Sequence, residues 1–159
     1  MEDNGKIRVG ITHGDINGVG YEVILKSFSD PAMLELCTPI VYGSPKVATY
    51  HRKAMDVQTS FTIINNVDDA QDGKLNILNC TEDELKVELT KATPEAGKAA
   101  LDALEKALQD YREGGIDVLV TAPINKHTIQ SDAFHFPGHT EYIEERVGNN
   151  RKALMILLK

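Results

Sequence analysis

Short β-branched runs alternate with helical stretches along this chain, and the connections between them are brief. Residues 7–12 (IRVGIT) read as a strand that passes into a glycine loop, after which residues 21–28 read as a helix. Residues 39–42 (PIVY) give a second strand. Ser44-Pro45 then supplies an N-cap and a proline at the first helical position, where the missing N–H would have no partner anyway, and a helix runs to about residue 55. Residues 60–64 (SFTII) and 75–79 (LNILN) are two further strands. The clearest helix spans 94–113: Thr93 caps it, Pro94 opens it, and Glu95 complements its positive end. Ala100, Leu104, Ala107, Leu108 and Tyr111 recur there at helical spacing and predict one apolar stripe. Residues 118–120 (VLV) form another strand, and a helix over 142–147 precedes 153–158 (ALMILL). That last unbroken apolar run reads as a strand buried on both faces. The pattern predicts an α/β fold, a mostly parallel sheet with flanking helices. A buried central strand is normally followed by another element, and only Lys159 follows this one. The sequence therefore predicts the N-terminal part of a longer protein over a domain that ends on a strand.

Composition narrows the classes of function. With 17 Lys+Arg against 24 Asp+Glu, the net charge is −7, which argues against duplex nucleic acid as a partner. It leaves room for a small anion in a local pocket. Cys37 and Cys80 are far apart, in neither CxxC nor zinc spacing, and are expected as free, buried thiols in a reducing compartment. The polar N-terminus lacks the apolar core of a signal peptide, and no apolar run reaches the roughly 20 residues of a membrane span. The expectation is a cytoplasmic protein without a membrane partner.

Three segments carry candidate chemistry. Gly14, Asp15, Gly18 and Gly20 belong to a GxxxGxG loop between a strand and a helix. It is neither the dinucleotide GxGxxG nor the GxxxxGK[ST] phosphate loop. It reads equally as a tight turn or as an anion site at a helix N-terminus, and the flanking His13 and Asp15 favour the second slightly. Lys126, after another strand end, is either a solvated charge or a partner for phosphate or carboxylate. In FHFPGHTE, Pro137-Gly138 forces a turn. Thr140 would cap the following helix with His139 at its mouth, while His135 is expected partly buried between two phenylalanines. His139 reads as a turn histidine or as an anion ligand. Zinc held by His127, His135 and His139 is disfavoured, because Pro137-Gly138 breaks any helix that would align them. No GxSxG elbow is visible.

Taken together, GITHGDINGVGYE, VTAPINKHTI and FPGHTEYIEER resemble the 4-hydroxythreonine-4-phosphate dehydrogenase family in order and spacing. The resemblance implies a fold similar to isocitrate and isopropylmalate dehydrogenases. It implies NAD-dependent oxidation of 4-phosphooxy-L-threonine to a 3-oxo acid that decarboxylates to 3-amino-2-oxopropyl phosphate, in pyridoxal phosphate (vitamin B6) biosynthesis. It also implies a homodimer with a divalent metal in an active site shared between subunits. His139 and Thr140 match the family's substrate-binding GHTE motif. Lys126 of PINK and the loop of Gly14, Asp15, Gly18 and Gly20 match segments near the active site. Tyr21 stands where the family usually has proline after the last glycine.

The family's three metal-binding histidines and most of its NAD site lie downstream of the strand matching 153–158. The metal ligands are thus expected beyond Lys159, with none in this chain, and His13, His51 and His127 are not substitutes. Residues 1–125 are expected to be the N-terminal part of the first domain and 126–159 the truncated start of a second. Two alternatives stay open: a non-catalytic fragment or binding module, and a related dehydrogenase of another hydroxy acid. The 159 residues alone are expected to be inactive.

Overall fold

A computed structural model describes residues 5–82 and 84–159. Strand β1 (Ile7–Thr12) leads to α1 (Gly20–Ser27), a one-turn helix α2 (Met33–Leu36) and β2 (Cys37–Gly43). Helix α3 (Pro45–Ala54), β3 (Thr62–Ile64) and β4 (Asn76–Asn79) follow, then α4 (Pro94–Arg112), β5 (Val118–Thr121) and α5 (His139–Val147). The five strands form one sheet in the order β3-β4-β2-β1-β5, and every pairing is parallel. The α/β expectation holds.

Side-chain alternation assigns the helices to faces. Val9, Ile11, Val41 and Ile77 pack with Ile24 and Leu25 of α1 and Val47 and Ala48 of α3. Ile40, Tyr42 and Leu78, on the other face, meet Ala103 and Ala107 of α4. Alanine at those positions lets α4 lie close to the sheet. Its outer stripe of Ala100, Leu104 and Leu108 is covered by Ile129, Phe134 and Tyr142. Two of the three expected caps form: Ser44 Oγ accepts the Val47 N–H (3.3 Å) and Thr93 Oγ1 the Ala96 N–H (3.2 Å).

Five expectations change. Residues 153–158 form no strand; Leu154, Met155, Ile156, Leu157 and Leu158 are exposed, the last at 95%. A strand buried on both faces needs sheet neighbours, and none of the described residues pairs with this segment. Tyr111 leaves the α4 stripe and is 41% exposed, because the covering layer of 129–147 stops at Leu108. Cys37 and Cys80 are free but only half-buried. Helix α5 starts at His139 rather than near 142, so Gly138 is the N-cap and Thr140 sits inside the first turn, exposed and capping nothing. His135 is exposed, since neighbours in an extended segment point opposite ways and Phe134 takes the buried side. No helix among the described residues is long and apolar enough to cross a membrane.

Candidate active site

The chain leaves β1 for β2 on one side, while β5 lies on the other side of β1. The loops after β1 and β5 thus part at a topological switch point, the crevice where ligands of open parallel sheets bind. Both loops carry motifs singled out above, and the structure brings them together. The Asp15 N–H donates to the Pro123 carbonyl (2.9 Å). Gly14 has φ +68°, and a Cβ there would stand 2.2 Å from the Pro123 oxygen, so glycine is required on both counts.

Within the glycine loop the N–H groups of Asn17 and Gly18 are already used. Asn17 N–H donates to Asp15 Oδ1 (3.0 Å) and Gly18 N–H to the Asp15 carbonyl (3.0 Å). These two bonds draw residues 15–18 into a tight turn, with Asp15 as its internal brace. His13 is fully buried: its Nε2 lies 2.9 Å from the Ala99 carbonyl and its Nδ1 2.8 Å from Tyr21 Oη. Burial pushes its pKa down to about 4. His13 is a core group facing inward, not a ligand of the crevice.

The PINK segment turns on Asn125, whose Oδ1 accepts the N–H groups of His127 (3.0 Å) and Thr128 (3.2 Å). This Asx turn leaves the Lys126 side chain exposed. Lys126 forms no salt bridge among the described residues. His139, half-buried at the start of α5, is held below the usual histidine range by burial and then by the nearby Lys126 ammonium. Both causes favour the neutral imidazole. Lys126 and His139, separate motifs in the sequence, thus share one electrostatic neighbourhood, with Thr140 next in the first turn of α5. The free N–H groups of that turn and a cation beside it suit an anionic group.

A cavity of about 290 Å³ lies elsewhere, between residues 81–82 and 84–88 and the first turns of α4. Its central cation, Lys98, is already held by Glu82 (3.0 Å) and Asp102 (2.9 Å). Two residues that organise the candidate site escaped the motif reading. Asn125 announces itself only as an Asx-turn residue. Asn17 donates from Nδ2 to the Lys91 carbonyl (3.0 Å) and accepts the Glu88 N–H (2.7 Å), contacts too distant in sequence to anticipate.

A family model for the pyridoxal phosphate biosynthetic protein PdxA matches residues 35–159. The chain belongs to the PdxA family. Over all 159 residues it is 72% identical to the 4-hydroxythreonine-4-phosphate dehydrogenase of Bacteroides thetaiotaomicron, of which it covers 43%. It is 33% identical over 151 residues to an Oceanobacillus iheyensis protein provisionally named D-threonate 4-phosphate dehydrogenase; the match takes in 93% of this chain and 46% of that protein. Its fold is similar to a crystal structure of a 4-hydroxythreonine-4-phosphate dehydrogenase from Burkholderia phymatum, with TM-score 0.80, 28% identity, and coverage of 90% of this chain and 44% of that one. The chain spans less than half the length of these PdxA-type relatives.

Proposed function

We propose that the whole protein is an NAD-dependent dehydrogenase of 4-phosphooxy-L-threonine, giving a 3-oxo acid that decarboxylates to 3-amino-2-oxopropyl phosphate. The observation that carries this reading is the 72% identity, over every residue of this chain, to a protein named for that substrate. The geometry supports a role in holding it. Lys126 supplies a fixed positive charge for the phosphate. Neutral His139 supplies one ring N–H, and Thr140 a hydroxyl, at the positive end of α5.

The described residues offer no built site for a metal. No three His, Cys, Asp or Glu side chains among the described residues converge on a metal position. In the glycine loop the Asn17 and Gly18 N–H groups are spent on Asp15. Because the chain covers less than half of its relatives, the reading places both the metal and NAD in the rest of the whole protein and takes residues 126–159 as the opening of a second domain. It makes the protein a cytoplasmic homodimer, on the strength of the motif resemblance.

The two names borne by the relatives differ at C2 of the substrate, an amino group against a hydroxyl. The test is NADH formation by the whole protein with each 4-phosphorylated compound. A kcat/KM at least about tenfold higher for 4-phosphooxy-L-threonine is expected, equivalent to ~1.4 kcal/mol of discrimination. A preference for D-threonate 4-phosphate would overturn the assignment.

A further inference from the structure

We propose that Tyr21 is a positioning residue: through His13 and the glycine loop, its hydroxyl fixes where Lys126 stands. The inference rests on the reading that Lys126 holds the substrate phosphate. Tyr21 is fully buried, and the protons around it can be assigned one by one. The Ala99 carbonyl can only accept, so His13 Nε2 carries the proton and donates to it (2.9 Å). His13 Nδ1 is then a bare acceptor, and the Tyr21 hydroxyl donates to it (2.8 Å). The Ser44 carbonyl is a second acceptor for that hydroxyl, but at 3.3 Å it is the longer contact, and the Tyr21 oxygen in turn accepts the Ser44 N–H (2.8 Å). One directional chain thus ties the start of α3, helix α1, the end of β1 and helix α4.

The same ring braces the loop from a second side. His51 stacks on Tyr21 with centroids 5.4 Å apart, and its Nε2 lies 2.8 Å from the Ile16 carbonyl. The loop is therefore held at His13 and at Ile16. Toward β5 there is no slack. The Asp15 N–H grips the Pro123 carbonyl, and a Cβ on Gly20 would stand 2.3 Å from the His13 carbonyl oxygen and 3.2 Å from Ala122 Cβ. On the far side, a Cβ on Gly43 would lie 2.3 Å from Tyr21 Oη, so the hydroxyl sits in a closed space. Pro123 is three residues before Lys126, across the Asx turn of Asn125. A shift of the loop moves the root of that turn.

Tyr21→Phe keeps the ring and strands two buried partners, the Ser44 N–H and His13 Nδ1. In the whole enzyme it is expected to raise KM for 4-phosphooxy-L-threonine about tenfold with kcat within about twofold, the signature of lost uniform binding. In a Lys126→Met background the same substitution is expected to change KM by less than about twofold, because the two act through one group. His13→Asn keeps an acceptor at the δ position and should retain a KM near that of the parent. His13→Gln keeps only the ε donor and should behave like Tyr21→Phe. This pair decides the matter even if Tyr21→Phe fails to fold. A Tyr21→Phe enzyme with a lower melting temperature but unchanged KM, multiplicative effects with Lys126→Met, or equal KM for the two His13 variants would overturn the inference. An unaltered KM in Lys126→Met alone would instead overturn the reading on which it rests.

Discussion

Lowering the pH from 7.5 to 5 is expected to remove about 2 kcal/mol of folding stability through His13 alone. The ring is completely buried, and desolvation is the main reason its pKa falls from 6.5 to about 4; the bond to the Ala99 carbonyl opposes that fall. In the unfolded chain the imidazole takes up its proton near pH 6.5. In the folded chain it stays neutral until about pH 4. Between those values the unfolded state binds more protons, so stability decreases as pH falls. The loss begins near pH 6.5, reaches about 2 kcal/mol by pH 5 and levels off at ~3 kcal/mol below pH 4. Its steepest slope is one proton, about 1.4 kcal/mol per pH unit. Urea unfolding followed by circular dichroism from pH 7.5 to 4.5 measures the slope, and His13→Gln isolates the contribution of this ring. His139, also held below its ordinary range, titrates in the same direction and cancels in that difference. Parallel pH profiles for the parent and His13→Gln would refute the argument, because they would mean that His13 protonates equally in both states.

The two histidines flanking Pro137-Gly138 should separate cleanly in the whole enzyme. His139→Ala is expected to lower kcat/KM for 4-phosphooxy-L-threonine by about a hundredfold, as for the loss of a charge-assisted contact worth ~3 kcal/mol. His135→Ala, at an exposed position, should stay within about twofold; equal losses in steady-state kinetics would remove His139 from the site. The 159 residues produced alone are expected to form no NADH and to self-associate, because 154–158 expose five large apolar side chains and β5 exposes Val118 and Val120 at the sheet edge. Light scattering should show the associated mass falling in Leu154→Glu/Leu157→Glu. A monomer at all concentrations, or robust turnover, would contradict this expectation.

Local chemistry made most of the fold legible. Ser44-Pro45 and Thr93-Pro94 each act through atoms within three residues, so their helices start where the sequence places them. Helix α5 starts three residues before the expected 142, since Gly138 caps it by backbone geometry alone, with no side-chain bond to betray it. The run 153–158 shows the opposite failure. Its apolar pattern is a strand pattern, but strand formation depends on partners, and a pattern cannot supply them. Lys126 and His139 were each legible as residues after a turn. Their shared neighbourhood follows from residues 129–142 packing on α4, which no local signal encodes.

His13 shows how position along the chain and side-chain direction carry different information. It follows a strand and precedes a glycine loop, the usual address of a functional residue in such sheets. Address along the chain says how near a residue is to the crevice, whereas side-chain parity says which way it faces. Val9 and Ile11 belong to the core beneath α1 and α3, and His13 continues their alternation by one more step. Two residues on from Ile11, the ring is carried inward, where only a neutral imidazole with both nitrogens partnered is stable. Tyr21 provides one of those partners at a position eight residues away, one turn into neither strand nor loop but at the buried face of α1. The pairing could not be read from spacing, yet the demand for it could. A histidine whose parity buries it requires an internal acceptor for its protonated nitrogen and an internal donor for the bare one, and Tyr21, on the buried face of the next helix, supplies that donor.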